Sequence, residues 1–95
     1  MLCIKRLIWD KGNVAHIARH RITPNEVEQV CHSKKHIVRE SYGGRLMLIG
    51  QTRAKRMLAV IIAPHGEEIY YVVTARPADN KERRIYQGKK GGRAT

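Results

Sequence analysis

The segment from Ala75 to Tyr86 combines a cluster of basic side chains with a helix start signal. Its cations are Arg76, Lys81, Arg83 and Arg84. Like charges this close repel one another, which opposes folding unless an anion is near. Arginine suits phosphate in particular, because its planar fork donates to two oxygens and keeps its charge. We therefore expect the segment to form an anion-binding surface.

The elements that position this cluster can be predicted from the same stretch. Ile69 to Val73 is a run of β-branched and aromatic residues, which predicts a buried strand ending near Ala75. Asp79 and Glu82, three residues apart, form a capping pair that opens a helix running to about Tyr86. The basic cluster is thus expected at a strand-to-helix corner.

Composition limits the partners and the location of the protein. With 95 residues, 42% of them apolar, the chain has enough material for one domain with a modest core. Its 19 Lys and Arg against 8 Asp and Glu give a net charge of +11, which favours a polyanionic partner. The longest apolar run, Met57 to Ala63, is far shorter than the ~18 residues of a membrane span. We expect a cytoplasmic protein without membrane contact, in which Cys3 and Cys31 are reduced.

Two further segments carry strong local signals. Thr23, Pro24 and Glu26 match an N-cap, a first helical position and an N3 position, so a helix is expected to begin there. Met57 to Ala63 is apolar without alternation, which predicts a central strand covered on both faces. Pro64 to Gly66 is the turn predicted to follow it.

The order of the predicted elements indicates the fold class. They are strand 3–9, helix 10–20, a helix from 23, an edge strand 36–41, strands 45–52, 57–63 and 69–75, and helix 79–86. This order predicts a small α+β domain, residues 1–87, with a mixed, mostly antiparallel sheet of four to five strands, two amino-terminal helices and one carboxy-terminal helix. Residues 88–95 are basic and glycine-rich, and we expect them to form a flexible tail.

A motif near the end of the chain points to a known family. The motif has the pattern Ala-Arg-x-Ala-x-x-x-Glu-Arg-x-x-Tyr, which is met here by Ala75, Arg76, Ala78, Glu82, Arg83 and Tyr86. Weaker features elsewhere in the chain accompany it: Trp9-Asp10, His20, and Arg45 before Ile49-Gly50. With these residues the chain, from about Ile8 to Tyr86, resembles the BrnT toxins of bacterial type II toxin–antitoxin pairs. The resemblance implies a RelE-like fold, cleavage of RNA, and an antitoxin of the BrnA kind as partner.

The sequence departs from that family at two places. His16 and Arg19 stand where members usually have Asn and Lys, and Gly44 stands where many have Glu before the arginine matched by Arg45. The first hypothesis is therefore a ribonuclease toxin, and the alternative is an inactive module of the same fold that binds nucleic acid or protein. A third hypothesis, an assembly protein, depends on Tyr42, Met47 and Met57 lying on an exposed sheet face.

Metal-free RNA cleavage needs a base for the 2′-hydroxyl, a cation beside the phosphorus and an acid for the leaving oxygen. Arg76 and Arg83 are the candidate cations, and Glu82 or His20 is the candidate base. Tyr86 is a candidate proton donor or base-stacking residue. Each has a structural alternative: a cap and ion-pair partner for Glu82, a helix-end residue for His20, and a core residue for Tyr86.

The remaining basic residues are candidates for binding RNA without taking part in the chemistry. They are Arg45, Arg53, Lys55, Arg56, Lys81 and Arg84. No cofactor motif is present. The two His pairs spaced four apart, one from His16 and one from His32, lack the rest of a zinc signature, so we expect no metal site.

Overall fold

Three helices and a five-stranded sheet make up this computed structural model, which describes residues 2–91, the side chains of 89–91 excepted. The strands are β1 (Arg6–Ile8), β2 (Ile37–Glu40), β3 (Leu46–Gln51), β4 (Met57–Gly66) and β5 (Ile69–Pro77). The helices are α1 (Lys11–Ala18), α2 (Pro24–His32) and α3 (Asn80–Gly91), and a single 3₁₀ turn, Tyr42–Gly44, joins β2 to β3.

The sheet is mixed, in the order β1-β5-β4-β3-β2. β1 runs parallel to β5, and every other neighbouring pair is antiparallel. The α+β class and the mixed sheet predicted from sequence are therefore confirmed. β4 is central and β2 lies at an edge, as their apolar patterns indicated.

Apolar side chains of β4 alternate between the two faces of the sheet. Leu58, Val60 and Ile62 join the main core, which also holds Ile17 of α1 and Val30 of α2. Met57 faces the other way, in a second cluster with Ile49, Ala78 and Tyr86 beneath α3. We call the side of the sheet that carries Ile49 and Met57 the α3 face. Since Met57 is buried, the exposed sheet face predicted for Tyr42, Met47 and Met57 is wrong; of these three, only Tyr42 is exposed.

Side-chain caps fix the starts of the first two helices. Thr23 accepts from the Glu26 N–H at 3.2 Å and its own N–H donates to Glu26 at 3.0 Å, so α2 begins as predicted. Asp10 and Asn13 form the equivalent box for α1. The buried Asn13 amide also donates to the carbonyl of Val72, tying α1 to β5.

Three predicted boundaries were wrong by three residues or more: β1 starts at Arg6 instead of Cys3, and the ends of β4 and α3 lie further along the chain. β4 continues through Pro64 to Gly66, and the chain reverses at Glu67 and Glu68 instead. Pro64 is tolerated because the β3 pairing of β4 stops at Ile62, so no N–H is needed on that side, and the β5 register shifts after Pro64.

α3 extends beyond its predicted end at Tyr86, to Gly91. Part of the tail predicted for 88–95 is therefore helical. Residues 92–95 lie outside the described residues, so the flexibility of the tail stays a prediction.

Two further expectations concerned the state of the cysteines and contact with a membrane. Cys3 is exposed, Cys31 is buried, and both are free. Across residues 2–91, no helix has the length and apolar character needed to cross a membrane.

Candidate functional site

The corner between β5 and α3 is closed by a capping box. The Glu82 N–H donates to Asp79 Oδ1 at 2.8 Å, and the Asp79 N–H donates to Glu82 Oε1 at 2.9 Å. The Ala78 N–H reaches back to the Met57 carbonyl at 2.9 Å, which fixes the corner against the start of β4. The predicted capping pair is thus confirmed, and it holds the start of α3 at the end of β5.

Glu82 also binds Arg76 through both carboxylate oxygens. Arg76 Nη1 donates to Oε1 at 2.8 Å and Nη2 to Oε2 at 2.7 Å, while the side chains are 39% and 8% exposed. The hydrogen bond from Arg76 holds the pKa of Glu82 below its ordinary value, and the same bond raises the pKa of Arg76. This end-on contact leaves the other edge of the guanidinium, formed by Nε and the second Nη2 proton, available to a ligand.

This geometry bears on two predictions for the corner. Arg76 is not an unmatched cation, because Glu82 neutralises it within the same chain. Glu82 does not suit the role of general base, because its oxygens are occupied by three hydrogen bonds and its pKa is lowered. Surplus charge is carried instead by exposed side chains that form no ion pair within residues 2–88: Lys81, Arg83 and Arg84.

Tyr86 lies in the core beneath α3. Its side chain is 2% exposed and packs in the cluster that contains Ile49 and Met57, and burial raises the pKa of its phenol. A ring buried this deeply does not stack on an RNA base, and a phenol with a raised pKa gives up its proton less readily. The structural alternative for Tyr86 is therefore the one that fits.

A cleft of about 540 Å³ opens on the α3 face beside this corner. β2 and β3 form one wall and the first turns of α3 form the other. Arg39 and Met47 are direct partners in the β2–β3 register, so both side chains belong to the same face. The cleft is lined by Arg39, Met47, Asp79, Lys81, Glu82 and Ile85.

Arg39 was missed at the level of sequence, although a signal for it exists. It lies two residues after Ile37, which packs against the cluster beneath α3. Alternation along a strand therefore places Arg39 on the α3 face as well. Arg39 and Lys81 thus bring two cations to a cleft that also holds the carboxylates of Asp79 and Glu82, the second of which binds Arg76.

Arg56, predicted to bind RNA, is used inside the fold. Nη1 donates to the carbonyl of Arg21 at 2.6 Å and to Glu26 at 3.2 Å, and Nη2 donates to the carbonyl of His20 at 3.2 Å. These bonds join the turn before β4 to the end of α1 and the start of α2. The role of Arg56 in binding RNA stays a prediction, and both of its terminal nitrogens donate within the fold.

The other predicted residues are spread around the molecule. His20 is exposed on the segment after α1, its ring edge-to-face with that of His16 at 6.2 Å. Arg53 borders a second, polar cleft of about 440 Å³ with Gln29 of α2, and Lys55 is exposed in the same turn. Arg45 precedes β3, roughly 13 Å along the strand from Ile49, the residue level with Arg76. Of the predicted residues, Lys81 and Glu82 thus line the cleft and Arg76 adjoins it through Glu82, whereas the lining does not include His20, Arg45, Arg53 or Lys55.

The departure at Gly44 has a backbone explanation. Gly43 and Gly44 have φ angles of 71° and 78°, a conformation that glycine adopts without strain and other residues avoid. Gly44 also lies at the tip of the β2–β3 hairpin, at the end of β3 remote from Arg76. A carboxylate at this position would therefore not stand beside the Arg76 guanidinium.

The described residues also bear on metal binding. Nowhere in the described part of the chain do three His, Cys, Asp or Glu side chains come together as a metal site would require.

Comparison with known proteins agrees with the fold. A family model described as "Ribonuclease toxin, BrnT, of type II toxin-antitoxin system" matches residues 9–82. The crystal structure of the Brucella abortus ribonuclease toxin BrnT is similar at 28% sequence identity with a TM-score of 0.63, over 79% of this chain and 97% of that chain. No curated protein matches the sequence. Since the family match covers most of the chain, the protein belongs to the BrnT family of type II ribonuclease toxins.

Proposed function

We propose that the cleft beside α3 cleaves RNA without a metal ion, by stabilising the charge that develops on the scissile phosphate. The observation that supports this is Arg76, which binds Glu82 on the wall of the cleft through Nη1 and Nη2 and whose Nε forms no hydrogen bond within residues 2–88. A guanidinium oriented in advance needs no reorganisation when the phosphate reaches its transition state, which is the condition for strong electrostatic catalysis.

The proposed reaction uses the nucleophile within the RNA itself. The 2′-oxygen loses its proton to a base and attacks phosphorus, and the 5′-oxygen leaves with a proton from an acid. The products are a 2′,3′-cyclic phosphate and a 5′-hydroxyl. Arg76 donates to the non-bridging oxygens through Nε and Nη2, and Lys81 and Arg39 add positive charge.

Asp79 is the group that we assign as proton acceptor. Its Oδ1 caps α3, while no hydrogen bond to its Oδ2 occurs within residues 2–88. The residue is exposed and lines the cleft. It is therefore the carboxylate with capacity to accept the 2′-hydroxyl proton, whereas Glu82 acts as a positioning residue for Arg76.

Membership of the family implies an RNA substrate and an antitoxin partner. We infer that the antitoxin is of the BrnA kind and acidic, since a net charge of +11 favours such a partner, and that the pair acts in the cytoplasm. Mixing the toxin with the product of its neighbouring gene tests this: a complex that dissociates in high salt and no longer cleaves RNA is expected.

The main test is RNA cleavage in the presence of EDTA. Wild-type protein is expected to cleave, Arg76→Lys to lose about 10²–10³-fold because the fork is lost while the charge remains, and Lys81→Ala to lose less. Lys34→Ala, an exposed lysine in the turn after α2, is the matched control and should match wild type. Each variant is checked for folding by circular dichroism. Full activity in Arg76→Lys, or activity only with added metal, would contradict the proposal.

A second candidate function is favoured by the state of Glu82 and Tyr86. Both were candidates for proton transfer, but Glu82 forms an ion pair with Arg76 and Tyr86 is buried in the core. A protein that binds RNA without turnover would show affinity that falls steeply with salt, as counterion release requires. It would also show no cleavage at any protein concentration.

A further inference from the structure

The tip of the β2–β3 hairpin presents an aromatic ring to solvent. Tyr42 is 90% exposed, whereas Val14, the other exposed large apolar side chain within residues 2–88, is 37% exposed. The tip is ordered by backbone bonds, from the Ser41 N–H to the Arg45 carbonyl at 2.8 Å and from the Arg45 N–H to the Tyr42 carbonyl at 3.4 Å. Tyr42 is therefore held at a defined place without packing against the protein.

An arginine precedes Tyr42 and another follows it on the same hairpin. Arg45 is exposed on one side of the turn, and Arg39, on the other, lines the cleft beside α3. Glu40 is the single carboxylate between Ile37 and Leu46. Three residues of extended chain separate Arg39 from Tyr42, roughly 10 Å. A single strand of RNA can therefore reach from Arg39, in the lining of the cleft, to Tyr42.

We propose that Tyr42 stacks on a nucleobase of the RNA strand bound in the cleft, while Arg45 binds the adjoining phosphate. This inference rests on the proposed function, because it extends the path of the same strand from α3 to the hairpin tip. Single-stranded RNA alternates flat bases with phosphates, and an exposed aromatic ring between arginines complements that alternation. Every base has a π face, so the contact adds affinity without selecting a sequence.

The test uses RNA that is fully 2′-O-methylated, which lacks the nucleophile and so reports binding alone. Tyr42→Ala is expected to weaken binding about 5- to 150-fold, the measured range for one stacked base. Tyr42→Phe should bind as wild type, and Tyr42→Leu should resemble Tyr42→Ala because an aliphatic side chain does not stack. Val14→Ala is the matched control for loss of an exposed apolar side chain and should have no effect.

An abasic strand with the same methylated backbone distinguishes stacking from other effects. Wild type and Tyr42→Ala are expected to bind it equally, since no base is left to stack. The inference is overturned if Tyr42→Ala binds the methylated RNA as tightly as wild type, if it loses as much on the abasic strand, or if only antitoxin binding weakens. Failure of the proposed function would appear separately, as absence of cleavage by wild type on unmodified RNA.

Discussion

Arg76 and Glu82 meet fork to fork, with N–O distances of 2.8 and 2.7 Å, and the carboxylate is the more buried partner. The same carboxylate accepts the N–H of Asp79. One side chain therefore starts α3 and orients the guanidinium at the end of β5. The stability of the corner and the geometry of the cleft depend on a single residue.

Glu82→Gln is expected to lower the free energy of unfolding by about 1–3 kcal/mol, because a glutamine keeps one acceptor but loses the charge that pairs with Arg76. Urea unfolding measures this. In a double-mutant cycle with Arg76→Gln, the two changes should cost less together than the sum of their separate costs. Strictly additive costs would mean that the pair contributes nothing to stability.

Arg56→Ala is expected to destabilise the protein by about 1–2 kcal/mol, because it frees the carbonyls of His20 and Arg21 and leaves Glu26 without its ion-pair partner. Arg53→Ala, three residues earlier in the same turn, removes the same charge without breaking a side-chain hydrogen bond within residues 2–88, because Arg53 bonds Gln29 through its backbone N–H. Thermal unfolding should separate the two variants. Equal melting temperatures would show that Arg56 does not anchor the turn.

His36 makes stability depend on pH in a predictable direction. Burial lowers the pKa of His36 below its ordinary 6.5, and Nε2 accepts the N–H of Leu2 at 3.0 Å. The unfolded chain therefore takes up a proton that the folded chain resists, so stability is full above about pH 6.5 and declines as pH falls.

The measurement for His36 is the free energy of unfolding between about pH 7.5 and 5.5, a range above the titration of most carboxyl groups. His36→Gln, which keeps an acceptor and does not titrate, should show a shallower decline than wild type. His65→Gln, at an exposed histidine near the end of β4, is the control. Parallel pH profiles for wild type and His36→Gln would contradict the prediction.

The two thiols should differ in reactivity. Burial raises the pKa of Cys31 to about 12, whereas Cys3 is exposed. A thiol reagent at neutral pH should modify Cys3 rapidly and Cys31 only after unfolding, because the thiolate is the reactive form. Cys3→Ser should abolish the fast reaction, and rapid labelling of Cys31 in the native protein would be inconsistent with its burial.

Features fixed by neighbouring residues were predictable from the sequence. Thr23 with Glu26 and Asp79 with Glu82 each cap a helix across three residues, so both helix starts were placed correctly. The turn at Pro64 was not, because the tolerance of a proline depends on where β3 stops pairing, and β3 comes earlier in the chain.

The candidate site was predictable only in part, for a related reason. The motif led to Arg76 and Lys81. The bond between Arg76 and Glu82 and the cleft lined by Lys81 form only when α3 folds back beside β5. Charge alone gave no way to tell Arg56, whose bonds are internal, from Arg53. Strand alternation puts Arg39 on the same face as Ile37, but only the packing of α3 on that face makes it part of a cleft.

The parallel pairing of β1 with β5 has a consequence for biosynthesis. Arg6 pairs with Ile69, so the first strand leaves the ribosome long before its partner has been translated. A nascent polypeptide interrupted before Pro77 has neither the completed central sheet nor the guanidinium–carboxylate fork. The corner between β5 and α3 is thus assembled only at the close of translation, and a chain that ends before Glu82 lacks it.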